Sequence, residues 1–122
     1  ENAEERTVAN FLEENDYGIG FSRSDEAIVT FLTNGNVEMG QVHYKKRKFL
    51  TSKRFYDADY KANEKAFLMI SENDFEEYPE LFELENCVQV YKDNFYTVFE
   101  FRDKASLWKE LEKEKYESFL DS

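Results

Sequence analysis

Cysteine, histidine and long apolar runs are nearly absent from this chain of 122 residues, and each scarcity removes a class of explanation. One cysteine, Cys87, cannot form an internal disulfide, so stability has to come from burial. Within the apolar run of Cys87, Val88 and Val90 it is expected to be an inert core thiol. So little cysteine suits the cytosol, and equally the outer face of a Gram-positive bacterium. One histidine, His43, has neither a second histidine nor a cysteine pair to complete a zinc site. No GxSxG elbow accompanies it, so a Ser22–His43–acid triad has nothing to assemble it. Gly18-Ile19-Gly20 lacks the third glycine of a dinucleotide fingerprint. Asp57 and Asp59 lack the further oxygen ligand and the loop glycine of a calcium site. Neither a metal nor a cofactor is therefore expected, and no catalytic residue is assigned. No apolar segment is long enough for a transmembrane helix or a signal-peptide core.

What the chain has in quantity is acid and aromatic rings. Twenty-seven Asp and Glu against sixteen Lys and Arg give a net charge of −11. That argues against a nucleic-acid partner, which needs a positive surface. Twelve Phe and eight Tyr supply the core, each buried ring contributing roughly 1.5–3 kcal/mol. Against the acidic background stands one basic island, Lys45 to Arg54, with Lys45, Lys46, Arg47, Lys48, Lys53 and Arg54 and no acid. It is either a solvated loop or a contact for an anionic surface such as lipid headgroups or a phosphate-bearing polymer.

Periodicity orders the elements. Residues 2–15 read as an amphipathic helix with Asn2 and Glu5 at capping-box spacing and Val8, Phe11 and Leu12 on one face. Tyr17 to Phe21 reads as a short strand whose glycines allow tight packing under the next helix. Ser24 caps that helix, Ala27, Ile28, Phe31 and Leu32 form its apolar stripe, and Asn34-Gly35 stops it. Asn36 to Tyr44 is a strand with Val37 and Met39 on one side and Val42 and Tyr44 on the other. Ala66 to Ile70 is continuously apolar, as a central strand is. Asn73 caps a short helix through Tyr78, and Pro79 starts a further turn. Cys87 to Tyr91 and Phe95 to Phe101 form a hairpin. Asp103 caps a last helix carrying Leu107, Trp108, Leu111, Phe119 and Leu120, with Glu110 and Glu114 paired to lysines on its exposed side. Glu76 and Glu77 are expected on a solvated helix face. The fold expected is α/β: a small sandwich with a mixed sheet of about five strands, helices on its faces, and a C-terminal hairpin plus helix.

The order of motifs also resembles a known family. The pieces are Phe11-Leu12-Glu13-Glu14-Asn15, Tyr17-Gly18, Thr30 to Gly35, Leu50-Thr51-Ser52-Lys53 with Phe55-Tyr56, Ala66 to Ser71, and the hairpin Tyr91 to Phe101. Together they resemble the extracytoplasmic C-terminal domain of polytopic bacterial membrane proteins. Those proteins are similar to polyprenyl-phosphate-sugar-dependent glycosyltransferases of the protein-mannosyltransferase kind. The resemblance implies a single domain over residues 1–122 that is a fragment of a larger membrane protein; an opening Glu1 in place of an initiator methionine separately suggests a piece cut from something longer or a trimmed tag. The parent would be the glycosyltransferase, and this domain a non-catalytic accessory outside the cell membrane. Its partners would be the transmembrane portion, a glycan or cell-wall polymer, and the membrane surface. Ser22-Arg23-Ser24-Asp25 stands where that family carries a Trp-Asn step. This makes Phe21, Ser22, Arg23, Asp25 and Glu26 the candidate ligand-binding residues. The alternative is a stand-alone acidic interaction or inhibitor protein of phage or plasmid type, mimicking nucleic acid in the cytoplasm.

Overall fold

In a computed structural model of the chain, residues 3–23, 26–42, 53–55 and 57–111 are described. Among these residues four helices and five strands follow in the expected order: α1 (Ala3–Glu14), β1 (Ile19–Ser22), α2 (Glu26–Leu32), β2 (Glu38–Gln41), β3 (Ala66–Ser71), α3 (Glu72–Glu77), β4 (Val88–Lys92), β5 (Tyr96–Phe101) and α4 (Lys104–Leu111). Short 3-10 turns cover Lys53–Phe55 and Pro79–Glu83, the second with its proline at the first turn.

The sheet order is β2-β1-β3-β5-β4. β1 lies parallel to both β2 and β3, and β5 runs antiparallel to β3 and β4. The protein is thus an α/β sandwich on a mixed five-stranded sheet. β3 is buried along nearly its whole length because both faces are covered. Ala66, Leu68 and Ile70 point to one side and pack with Ile19, Phe21, Phe75, Leu107 and Leu111. Phe67 and Met69 point to the other and pack with Val8, Leu12, Val29 and Val98. α1 and α2 therefore cover one face, and α3 and α4 the other.

Two glycines make room for large rings on these faces. Gly20 pairs with Phe67 across β1 and β3, and the Phe67 ring lies directly over it. Gly40 pairs with Phe21 in the same way on the opposite face. The close packing expected of Gly20 is present, but its partner is the ring on the neighbouring strand rather than the following helix.

Four other local expectations are corrected. α2 buries Val29, and Thr33 just past its end is buried too, while Ala27 and Phe31 face outward, Phe31 at 78% exposure. Thr33 earns its inward place through hydrogen bonds: its Oγ1 donates to the Val29 carbonyl and accepts from the Val37 amide. α3 begins two residues earlier than expected, with Ser71 rather than Asn73 as its cap, its side chain accepting from the Asp74 amide. Glu110 is buried rather than on the exposed side of α4. It is only 1% exposed and accepts hydrogen bonds from the Glu85 amide and the Asn86 side chain. Cys87 is half-buried at the margin of the core, because β4 is an edge strand with Val88 exposed. Glu76 and Glu77 are exposed, as expected. Asn2, His43, Tyr44, Glu114, Phe119 and Leu120 lie outside the described residues.

Glu38 and Lys104 fasten the connection before β3. The Glu38 carboxylate accepts from Tyr60 Oη and pairs with Lys61 at 2.8 Å and Arg54 at 3.1 Å. Lys104 is buried, and its Nζ donates to the carbonyls of Asp57 and Tyr60 at 2.6 and 2.7 Å. Burial alone would raise the Glu38 pKa, but the hydrogen bonds from Lys61 and Tyr60 and the nearby cations hold it below the usual value. A depressed carboxyl pKa adds stability above its ordinary value that is lost as pH falls through the folded one. Glu38→Gln should therefore cost about 1 kcal/mol at neutral pH, and the difference should shrink as pH falls through the depressed Glu38 pKa. Urea unfolding of both proteins across that range checks this.

Candidate functional site

Open α/β sheets leave a crevice at the carboxyl ends of adjacent strands whose connections depart in opposite directions. Here β1 leads through α2 to β2 on one side, and β3 leads through α3 toward β4 and β5 on the other. The gap between the ends of β1 and β3 is that point.

A cavity of about 450 Å³ occupies it. Arg23 enters from the end of β1, and Ser71, Glu72 and Asn73 from the junction of β3 and α3. Asn94, Phe95 and Tyr96 come from the β4–β5 turn, and Glu4 from the start of α1. Sheet register explains part of this convergence: Ser71 pairs with Tyr96, and Ser22 pairs with Met69 two residues before Ser71.

The turn is built by its own sequence. Asp93 Oδ1 accepts from the amides of Phe95 and Tyr96 at 2.7 and 2.8 Å, as aspartate does in tight turns. The Phe95 carbonyl accepts from the Glu72 amide at 2.9 Å, which ties the turn to the start of α3. Tyr96 Oη donates to Glu5 at 3.1 Å and draws the start of α1 to the same rim. Phe95 is left 45% exposed, one of the few large apolar side chains on the surface.

Beside the cavity lies a buried ion pair. Arg23 Nε donates to Asp74 Oδ1 at 2.6 Å, with the Asp74 side chain 2% exposed and that of Arg23 31%. Burial raises the Asp74 pKa above the usual carboxylate value, and the Arg23 hydrogen bond and charge offset only part of that. For Arg23, burial acts to lower the pKa, but the Asp74 contact outweighs it and the guanidinium is held more firmly charged.

The candidate residues from the sequence divide here. Arg23 lines the cavity. Phe21 is fully buried in the core, its ring edge-on to Trp108 at 4.8 Å, and Ser22 is buried at the end of β1. Glu26 opens α2, and Asp25 lies outside the described residues. Of the basic island, Lys45, Lys46, Arg47 and Lys48 also lie outside them, Lys53 starts a 3-10 turn, and Arg54 is exposed and paired with Glu38. Reading along the sequence missed Asn73, Asn94 and Phe95. The available signal was Asp93-Asn94, a turn-forming pair after which Phe95 falls just before β5 and is left exposed. Among the described residues, no group of three or more His, Cys, Asp or Glu could hold a metal ion, and no helix is long and apolar enough to cross a membrane. No protein-family model matches the chain, and neither a curated protein nor a solved structure matches it significantly, so the site is argued from its own geometry.

Proposed function

We propose that this chain is a non-catalytic binding domain, the extracytoplasmic accessory part of a bacterial glycosyltransferase-like membrane protein, and that its crevice receives a glycan or acceptor. The observation that carries the reading is the polar cavity at the ends of β1 and β3 with one exposed aromatic ring on its rim. Its volume falls within the range of small-molecule sites. A sugar presents hydroxyls that donate and accept, and a C–H face that is apolar. The amides of Asn73 and Asn94 donate and accept, the carboxylates of Glu4 and Glu72 accept, and the Arg23 guanidinium donates. The Phe95 ring supplies the apolar contact. The transmembrane portion of the same protein and the headgroup surface would be its other partners, with the cations of the basic island facing the membrane.

Titration of the isotope-labelled chain with neutral oligosaccharides, followed by NMR, tests the reading. The amides of Arg23, Asn73, Asn94 and Phe95 should shift together. Phe95→Ala should weaken binding about tenfold and leave the unfolding midpoint nearly unchanged, since the ring is half in solvent. Shifts confined to other surfaces, or none with any sugar, would remove the crevice from consideration.

A further inference from the structure

Charge discriminates among the ligands this crevice can take. Among its described lining residues Arg23 is the one cation. Its charge is already matched by Asp74 at 2.6 Å. Glu4 and Glu72 line the same cavity, with no lysine or second arginine among its described lining residues. Behind the wall stand Asp93, which anchors the turn, Glu5, which accepts from Tyr96, and Glu77, close enough to act on Arg23 through its charge. Carboxylates thus outnumber cations around the cavity, a balance that favours a negative field there, in a chain whose net charge is −11. A phosphate or a uronic acid would enter against that field, and a neutral sugar would gain nothing from it. A protonated amine gains from both carboxylates, and from the face of the Phe95 ring as a cation does from an aromatic quadrupole.

We propose that the crevice recognises a protonated amine carried on a hydroxyl-bearing ligand, an amino sugar in its free-amine form rather than an N-acylated or anionic one. This rests on the crevice being the ligand site. The carboxylates of Glu4 and Glu72 hold the ammonium, the amides of Asn73 and Asn94 serve the hydroxyls, and Phe95 covers the open side.

Three disaccharides of one linkage isolate the charge: glucosamine disaccharide, its N-acetylated form, and cellobiose, each titrated by NMR into the whole chain. At low salt the free amine should bind about tenfold more tightly than cellobiose. The advantage should largely disappear at about 0.5 M salt. Glu72→Gln and Glu4→Gln should each weaken the free amine about fivefold and cellobiose by much less, since the glutamine carbonyl still accepts from a hydroxyl. Glu14→Gln, an equal charge change on the exposed face of α1, should alter neither. Equal affinity for all three sugars at the crevice would overturn the amine proposal and leave the glycan reading standing. Shifts from the amine spread over the acidic surface, with Glu14→Gln as damaging as Glu72→Gln, would also overturn it. An absence of crevice shifts with any of the three would defeat both.

Discussion

An alanine at position 20 is expected to lower the stability of the fold by about 3 kcal/mol, at the upper end for overpacking a core. A Cβ built on Gly20 falls 2.3 to 2.4 Å from three atoms of the Phe67 ring, far inside contact distance. Phe67 is fully buried on the central strand and has Tyr17 edge-on at 5.7 Å, so its ring has little space into which to withdraw. The comparison with Gly40 sharpens the expectation. There the nearest ring atom, on Phe21, stands at 2.9 Å, so a smaller shift relieves the clash and a smaller loss follows. Urea unfolding of Gly20→Ala, of Phe67→Leu and of the double variant tests the cause. Removing the ring should recover about half of the alanine penalty, an interaction energy of the size found between touching residues. A Gly20→Ala protein within about 1 kcal/mol of the parent, or strictly additive variants, would show that the ring is not what forbids a side chain there.

This pair also shows why the fold was legible and much of the site was not. The element order follows from periodicity and punctuation along the chain, which Asn34-Gly35, Pro79 and the apolar run from Ala66 to Ile70 supply locally. Asn34 and Gly35 do take positive φ angles of 53° and 80°, the conformation that ends a helix. What the sequence cannot reveal is which strands are neighbours, and that determines what covers Gly20. The outward turn of Phe31 and the burial of Glu110 have the same origin. On a helix of seven or eight residues the buried arc is set by its neighbours more than by its own pattern. The crevice depends on four separate segments, brought together by a sheet order with two non-sequential neighbours. Of the lining residues only Arg23 is a ligand candidate from the sequence, and it is reached through the family resemblance, at the Ser22 to Asp25 step, rather than through a local pattern.

Arg23→Met is expected to cost about 4 kcal/mol at neutral pH, because it strands the Asp74 carboxylate in the interior. The reverse change should cost less. Asp74→Ala leaves a guanidinium about a third exposed, which can turn toward water, and about 2 kcal/mol is expected. Acid should narrow the gap for Arg23→Met. Burial already raises the Asp74 pKa in the presence of Arg23, and without that cation it rises further. A carboxyl with a folded pKa above its unfolded value loses stability as pH climbs between the two. The Arg23→Met protein should therefore recover part of its deficit as pH falls and Asp74 takes up a proton. Urea midpoints at neutral and mildly acidic pH read this directly, and a deficit independent of pH would contradict the buried-charge account. Replacing both partners, Arg23→Met with Asp74→Leu, should return the stability close to that of the parent, since an apolar pair of similar volume often equals a buried ion pair. Hydroxyl-bearing ligands should nevertheless bind this restored fold more weakly, because the guanidinium donor has gone from the crevice wall. That separation of folding from binding tells whether the ion pair exists for the sheet or for the site it borders.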